Sequence, residues 1–251
     1  MNNSEVDWIS KQRLMFEKKR SLFFFYECLF NLLKSEIKSF GDQTKIVEIG
    51  TGAGLSTSFM GEFKYLKTDA IDTGIQDAIV DAQNLPFDDE SLDVIFGIDV
   101  FHHISKPFQF LEEASRCLKH DGRLILIEPA ITPFSWPVYK FLHPEPMKWS
   151  VAVTKDFQFS GSHVMDANNA LPSLIFKNNS RGSLESFELC LEYETRLFGF
   201  ISMLATGGIN SSWSIPFLNR FIKNLFNWEL KRSRKFGNTF FLRTLIVIEK
   251  F

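Results

Sequence analysis

Three glycines at alternate positions follow directly on a short apolar segment, and they are the residues best placed to do chemistry. Gly50, Gly52 and Gly54 have no Cβ atoms, so the backbone there can turn sharply and approach a ligand closely. Residues 56–60 can then begin a helix, whose free N–H groups face whatever the loop holds. This arrangement predicts a site for a nucleotide-type cofactor. A tight strand-to-helix turn that holds no ligand is the alternative interpretation.

The spacing of the glycines distinguishes two kinds of nucleotide cofactor. A dinucleotide fingerprint reads G-x-G-x-x-G, and its third glycine allows close packing of helix on strand. Counted from Gly50 that third position is Leu55, and counted from Gly52 it is Thr57. The pattern here is instead E-x-G-x-G-x-G, which begins with Glu48 inside the predicted strand. It resembles the first motif of the class I S-adenosylmethionine-dependent methyltransferases.

Acidic residues at the ends of later predicted strands extend this resemblance. The second strand is predicted to end at Asp69, whose carboxylate can accept hydrogen bonds from both hydroxyls of a ribose. Asp72 has this role if the strand ends later. Residues 78–87 are similar to the D-A-x-x-L-P-F signature that follows strand three in the family. The resemblance implies that the Asp81 side chain and the Ala82 backbone amide contact the adenine.

The resemblance covers about residues 44–130, half of the chain. Residues 91–99 are similar to the fourth strand, which places Asp99 near the methionine end of the cofactor, and residues 118–129 are similar to the helix end, turn and fifth strand. The implied cofactor is S-adenosylmethionine. The implied cofactor-binding residues are Glu48, Gly50, Thr51, Gly52, Gly54, Asp69, Asp81, Ala82 and Asp99.

Glu48 has two interpretations. The resemblance implies that it orients the amino group of the cofactor's methionine, directly or through water. The alternative is a buried carboxylate that only braces the glycine loop.

These motifs require an α/β fold, and the resemblance implies a Rossmann-like, seven-stranded, mostly parallel sheet with helices on both faces. Only 11 residues separate Asp69 from Asp81, too few for a helix with its two connections, so the second crossover is predicted to be shortened to a loop or single turn. Residues 187–193 and 238–248 are predicted to be the antiparallel sixth and seventh strands. Residues 130–186 form a long insertion between strands five and six.

Besides residues 56–60, three segments are predicted to be helices. Residues 11–40 form the first, which ends at Gly41; it either covers the cofactor cleft or packs on the sheet as core. Residues 107–118 connect strands four and five in a right-handed crossover, and the third segment, residues 215–235, is amphipathic. We divide the single structural domain into an N-terminal helical cover (1–43), a cofactor-binding core (44–130), a substrate-cap insertion (131–186) and a C-terminal part with strands six and seven around the amphipathic helix (187–251).

Histidines and a carboxylate supply the candidates for catalysis. Methyl transfer needs a nucleophile held in line with the S–CH₃ bond, and a hydroxyl acceptor also needs a general base. His102 and His103 follow strand four, where the methyl group is expected, and His143 and Glu145 lie in a proline-bounded loop. Of these we predict His103, His143 and Glu145 to be catalytic. The alternatives are a histidine that caps a helix or fixes a loop, and a loop that is only structural.

Composition limits the function classes. A formal charge of −2 gives no electrostatic reason to expect a nucleic acid partner. Cys28, Cys117 and Cys190 fit no metal or redox spacing, so no metal site is expected. The first residues lack the basic region of a secretory signal, and no run of about 18 apolar residues exists to span a membrane. We therefore expect a cytoplasmic enzyme.

The amphipathic segment at residues 215–235 is compatible with a second cellular location, at the membrane surface. One helical face carries Leu218, Phe221, Ile222, Leu225 and Phe226, with Trp213 and Trp228 near its ends and a basic end made of Lys231, Arg232, Arg234 and Lys235. Such a helix can lie on an anionic membrane at the inner face, as a peripheral contact. The alternative is that the apolar stripe packs against the rest of the protein.

The predicted function is therefore S-adenosylmethionine-dependent methyl transfer, by in-line displacement, to a small-molecule or lipid-linked acceptor. A non-catalytic S-adenosylmethionine-binding or interaction protein is the first alternative, and an NAD-dependent oxidoreductase is the second.

Overall fold

The computed structural model describes residues 3–37, 40–41, 43–159, 166–177, 182–197, 199–208, 213, 215–240 and 242–251. The strands are β1 (Ile46–Glu48), β2 (Tyr65–Asp69), β3 (Ala78–Ile79), β4 (Leu92–Ile98), β5 (Leu118–Pro129), β6 (Leu189–Leu197) and β7 (Arg243–Lys250). The helices are α1 (Asn3–Lys18), α2 (Arg20–Ile37), α3 (Pro107–Cys117), α4 (Ser135–Pro137), α5 (Gly182–Glu185), α6 (Phe200–Thr206) and α7 (Ile222–Phe240).

The seven strands form one sheet in the order β3-β2-β1-β4-β5-β7-β6. β1 to β5 pair in parallel, whereas β7 is antiparallel to both of its neighbours, β5 and β6. β6 therefore runs in the same direction as the parallel strands, and only β7 is reversed. The predicted Rossmann-like, mostly parallel sheet of seven strands is confirmed.

Helices cover both faces of this sheet, as predicted. Side chains alternate across a strand, so consecutive residues of β5 face opposite ways. Leu124 and Leu126 are fully buried in the core cluster that contains α3, and Ile125 and Ile127 are fully buried in the cluster that contains α2. The sheet thus separates two hydrophobic cores.

The single N-terminal helix predicted over residues 11–40 is instead two helices, α1 and α2, which meet at Lys19. The Lys19 side chain is only 6% exposed, and its Nζ donates a hydrogen bond of 2.6 Å to the carbonyl of Gly208. A buried amine needs such an acceptor, so the chain bends where this contact forms. The bend separates α1 from α2, whose Leu22 and Phe25 are fully buried in the core.

The two connections around β2 are short. The helix predicted over residues 56–60 is only a 3₁₀ turn, Leu55–Ser58. The rings of Phe59 and Phe30 stack with centroids 5.0 Å apart, so α2 covers the sheet face where a crossover helix was expected. The second crossover, residues 70–77, is a loop, and this prediction is confirmed.

Several predicted element ends were wrong. β5 begins at Leu118 and includes the residues predicted as a turn, where Asp121 has a φ of 63° and the pairing with β4 shifts register. β6 begins two residues later than predicted, directly after Glu188, which has a φ of 58°. β7 begins at Arg243 because α7 continues to Phe240, whose ring stacks on that of Phe134 at 4.1 Å.

The apolar stripe of the segment at residues 215–235 is divided between core and surface. The segment forms a 3₁₀ turn, Pro216–Phe221, and then α7. Ile222 and Phe226 are buried against α2, whereas Phe221 is 44% exposed. Among the described residues, no helix is both long and apolar enough to cross a membrane.

Candidate active site

A cavity of about 1280 Å³ lies at the carboxyl ends of the parallel strands. Its walls come from the loops that follow β1, β2, β3 and β4, from α1 and α2, and from the insertion. Of the predicted site residues, it is lined by Glu48, Gly50, Thr51, Gly52, Asp69, Asp81, Ala82, Asp99, His103, His143 and Glu145. Gly54 is the one predicted site residue that does not line it.

The three glycines of the first loop have different functions, although all have a positive φ. A Cβ atom at Gly50 would lie 2.4 Å from the Val100 side chain, and one at Gly54 would lie 2.6 Å from Ile75. At Gly52 the nearest atom would be the carbonyl oxygen of Gly50, at 3.8 Å. Gly50 and Gly54 are therefore required for packing, and Gly52 is open to the cavity.

Asp69 anchors the glycine loop at the end of β2. Its two carboxylate oxygens accept hydrogen bonds from the backbone N–H of Gly52, at 2.7 Å, and of Ile71, at 3.1 Å. Burial raises the pKa of Asp69, although these backbone donors oppose the shift. Asp72, the alternative ribose ligand, is exposed in the following loop and accepts hydrogen bonds from Gly74 and Gln76. The structure therefore favours Asp69.

Glu48 is buried beneath the glycine loop. One carboxylate oxygen accepts hydrogen bonds from the hydroxyls of Ser56, at 2.7 Å, and Thr51, at 3.1 Å. Burial raises the pKa of Glu48 to about 7, against the effect of these two hydroxyls. Glu48 therefore braces the loop and also lines the cavity, so both interpretations of its role fit its position.

The next two strand ends add three of the predicted residues. After β3, the exposed Asp81 accepts a hydrogen bond of 2.9 Å from the backbone N–H of Gln83, and Ala82 follows it along the cavity wall. After β4, Asp99 has a φ of 58° and lies 2.7 Å from the buried Arg243. This Asp99–Arg243 contact is an ion pair without hydrogen-bond alignment.

The loop after β4 and the insertion bring a cluster of histidines and carboxylates to the cavity. His102 Nδ1 lies 2.6 Å from Glu128 Oε2, and His102 Nε2 lies 3.3 Å from Glu145 Oε2. The other oxygen of Glu128 accepts the backbone N–H groups of Val100 and Phe101, at 2.9 and 2.8 Å. Glu128 is fully buried, so these contacts fix both its position and that of the His102 ring.

His103 and His143 complete this cluster around Glu145. His103 Nε2 lies 3.7 Å from Glu145 Oε1, and His143 Nδ1 lies 3.7 Å from Glu145 Oε2. These separations are too long for hydrogen bonds. The Nδ1 atom of His103 is buried and has no hydrogen-bond partner among the residues that the structure describes. The structure thus brings together all three residues predicted to be catalytic.

His102 and His103 have very different pKa values because of their surroundings. Burial alone would lower the pKa of His102, but Glu128 and Glu145 outweigh it and raise that pKa to about 10. Burial and the charge of His102 lower the pKa of His103 to about 4. Burial would raise the pKa of Glu145, but the hydrogen bond and charge of His102 lower it to about 2. At neutral pH His102 is charged and His103 is neutral.

Sequence reasoning missed two residues of this site. Glu128 holds His102, and Arg243 pairs with Asp99. The one signal for Glu128 was a carboxylate at the carboxyl end of an otherwise apolar strand, where polar residues usually serve a site. Arg243 gave no such signal, because its place beside β5 depends on the reversed pairing of β7.

Comparisons with known proteins give a matching domain family and similar overall structures. The family description "methyltransferase domain" matches residues 47–126. None of the curated proteins matches the sequence. A candidate methyltransferase in complex with the Haloferax volcanii Trm112 methyltransferase activator is similar in structure, with 14% identity, 98% of this chain and 96% of that chain covered, and a TM-score of 0.50. The [4+2]-cyclase SpnF is similar at 12% identity, with 89% and 80% covered and a TM-score of 0.51. At such identities the likeness to solved structures shows the fold alone.

Proposed function

We propose, from the premise that this chain is a class I S-adenosylmethionine-dependent methyltransferase, that it methylates a small apolar or lipid-linked acceptor. The observation that carries the acceptor class is the mouth of the cavity. Phe141 and Leu142 line the cavity and are 71% and 74% exposed, and Trp213, which also lines it, is 57% exposed. Apolar side chains left in water at the entrance of a site favour an apolar ligand.

The cavity residues of the glycine loop and of the next two strand ends fit S-adenosylmethionine. Gly52 leaves space in which a Cβ would meet nothing closer than 3.8 Å, and the strand-end carboxylates of Asp69 and Asp81 lie on the same cavity. When bound, S-adenosylmethionine supplies a methyl group already activated by its sulfonium. We assign its binding to Glu48, Gly50, Thr51, Gly52, Gly54, Asp69, Asp81, Ala82 and Asp99, with Gly54 acting through the shape of the loop.

The histidine–carboxylate end is proposed to hold the acceptor and remove its proton. Positioning of the nucleophile in line with the S–CH₃ bond contributes most to such a reaction. The acceptor oxygen forms the new bond to the methyl carbon, the S–C bond breaks towards sulfur, and the hydroxyl proton passes to the cluster of His103, His143 and Glu145. His103 offers a buried ring nitrogen that makes no hydrogen bond, and His143 is the most exposed of the three histidines of the cluster, at 30%.

We keep the division of the chain into four parts as a proposal, in which each part contributes residues to the cavity. In the proposed helical cover, residues 1–43, Trp8 and Ile9 of α1 line the cavity. The proposed cap, residues 131–186, contributes residues 138–145 to the same cavity. The core, residues 44–130, contributes the strand-end loops, and the C-terminal part, residues 187–251, contributes Arg243.

A peripheral contact with the anionic inner face of the membrane, in a cytoplasmic enzyme, fits an acceptor that resides in lipid. Phe217, Phe221 and Trp228 are exposed around the start of α7. Further along, Lys231 and Arg232 are exposed, and the Arg232 guanidinium lies 4.2 Å from the centre of the Trp228 ring. The side chains of Leu218, Arg234 and Lys235 lie outside the described residues. Aromatic and basic groups side by side are typical of interfacial surfaces.

Formation of S-adenosylhomocysteine tests the proposed reaction. Hydroxyl compounds that carry long apolar tails are expected to be methylated faster than the same head groups with short tails. Replacing Phe141 and Leu142 by serine should remove that preference while the affinity for S-adenosylhomocysteine is retained. Binding of S-adenosylhomocysteine without turnover of any acceptor would instead support the non-catalytic alternative.

A pair of histidine variants tests the acceptor end. His103→Ala is expected to lower turnover by about 10²–10⁴-fold with the cofactor affinity nearly unchanged, because general base catalysis contributes about that much. His120→Ala is the matched control, since His120 has a 72% exposed side chain and its ion-pair partner is the neighbouring Asp121. Equal losses of activity and thermal stability in His103→Ala would assign His103 to structure.

A further inference from the structure

The ring of His102 is held in the manner of a metal ligand. Its Nδ1 lies 2.6 Å from a carboxylate oxygen of the fully buried Glu128, which is itself fixed by two backbone N–H groups. In metalloproteins a ligating histidine usually donates its second ring nitrogen to such a carboxylate, which fixes the tautomer and orients the ring. The nitrogen left over, Nε2, is directed at Glu145.

The atoms around Glu145 lie close to the spacing of the ligands of one small cation. His102 Nε2 lies 3.3 Å from Glu145 Oε2, and His103 Nε2 lies 3.7 Å from Glu145 Oε1. The three residues offer ligand atoms that all lie within 4.8 Å of one another. A tetrahedral ion with ligand distances of about 2.0–2.2 Å needs ligand atoms about 3.3–3.6 Å apart, so the first separation fits and the longer ones would shorten when the ion binds.

Within the described part of the chain, two polar atoms beside the cluster make no hydrogen bonds. They are the buried His103 Nδ1 and Asn169 Oδ1; Asn169 is fully buried, and its Nδ2 lies 3.4 Å from His143 Nδ1. Buried polar atoms are nearly always hydrogen-bonded, so such exceptions concentrate at sites built for a ligand. His143 Nδ1, 3.7 Å from Glu145 Oε2, lies at the edge of the same group of atoms.

We propose that His102, His103 and Glu145 bind one divalent transition-metal ion of the Zn²⁺ type. Two imidazoles and one carboxylate favour such ions over Mg²⁺ and Ca²⁺, which prefer sets of oxygen ligands. Cysteine spacing gave no sign of this site, and the two histidines stand 42 and 43 residues before Glu145, so no short motif marks it. The insertion supplies Glu145, and the loop after β4 supplies both histidines.

The ion would lie on the wall of the cavity that the loop after β4 and the insertion form. Three protein ligands leave a tetrahedral ion one open position. This part of the inference rests on the proposed function: an acceptor hydroxyl at that position would be easier to deprotonate, because a metal ion lowers the pKa of a bound oxygen ligand. The preferred acceptors would then be alcohols or phenols rather than amines.

Metal binding can be measured directly on the whole chain after treatment with a chelator. We expect calorimetric titration with Zn²⁺ to give about one site in the wild-type protein and in His120→Ala. Glu145→Gln should bind Zn²⁺ at least about 100-fold more weakly, because it loses a charged ligand. Co²⁺ should give the absorption bands of a tetrahedral site in the wild-type protein and not in Glu145→Gln.

The affinity for S-adenosylhomocysteine, measured in the same variants, shows that each is folded. A Zn²⁺ affinity that is equal in the wild-type protein and Glu145→Gln would overturn the metal site, as would a loss of affinity caused by His120→Ala alone. A failure of the proposed function is a different result, namely a protein that binds one Zn²⁺ through Glu145 but forms no S-adenosylhomocysteine with any acceptor.

Discussion

His102 and His103 are neighbours in the sequence, yet their surroundings give them opposite properties. His102 lies between two carboxylates, which raise its pKa to about 10. Burial, together with the charge of His102, lowers the pKa of His103 to about 4. Neither property could be read from the sequence, because burial comes from the fold and the carboxylates that hold His102 lie 26 and 43 residues away from it.

The glycine loop provides a prediction that separates cofactor binding from folding. Gly52→Leu should keep the fold at a cost of about 1–2 kcal/mol for its left-handed backbone, and its side chain should occupy the cofactor's space. Gly50→Ala should instead lose stability, because its Cβ would overlap Val100. Calorimetry with S-adenosylhomocysteine and thermal unfolding measure the two effects. Wild-type cofactor affinity in Gly52→Leu would contradict the assignment of this loop.

At the scale of elements, the sequence predicted what depends on local pattern. The resemblance to the family's fourth strand located β4, and the amphipathic repeat located α3 within one residue of its observed end. The break at Lys19 and the 3₁₀ turn at Leu55–Ser58 were missed because both depend on distant contacts, with Gly208 and with α2. The same cause limited the prediction of the site. The residues at the strand ends were predicted, but Glu128, the partner of His102, was not.

One contact between elements predicts a pH-dependent stability. Glu229 of α7 is fully buried and accepts hydrogen bonds from Ile201 N, at 2.7 Å, and Ser202 Oγ, at 2.6 Å, at the start of α6. Burial raises its pKa to about 7, against these donors. The folded protein therefore keeps a proton that the unfolded chain releases near pH 4.3, so this contribution to stability is present below about pH 4.3 and is lost as pH rises to about 7.

Glu229→Gln tests this dependence. The amide stays neutral at every pH, so the variant should lack the fall in stability between about pH 4.5 and 7 that the wild-type protein shows. Chemical denaturation at a series of pH values measures it. Parallel pH profiles in the two proteins would contradict the raised pKa of Glu229.

At the scale of the whole molecule, the exposed aromatic and basic groups of residues 217–232 form the proposed membrane surface. Neutralising Lys231, Arg232, Arg234 and Lys235 to glutamine should weaken sedimentation with anionic vesicles, and added salt should weaken the binding of the wild-type protein in the same way. Lys45→Gln with Lys64→Gln is a control, because these exposed residues precede β1 and β2 at the opposite edge of the sheet. Vesicle binding that does not respond to the four changes would refute the membrane contact.

The reversed strand β7 has a consequence for biosynthesis. It lies between β5 and β6, and residues 123–129 of β5 pair with it along almost its whole length. Until residues 243–250 leave the ribosome, β5 has an open edge and β6 has no partner in the sheet. Arg243 also completes the wall of the cavity. Cofactor site and sheet are therefore completed together when β7 joins the sheet, and the nascent chain before that step exposes an unpaired apolar strand on which chaperones can act.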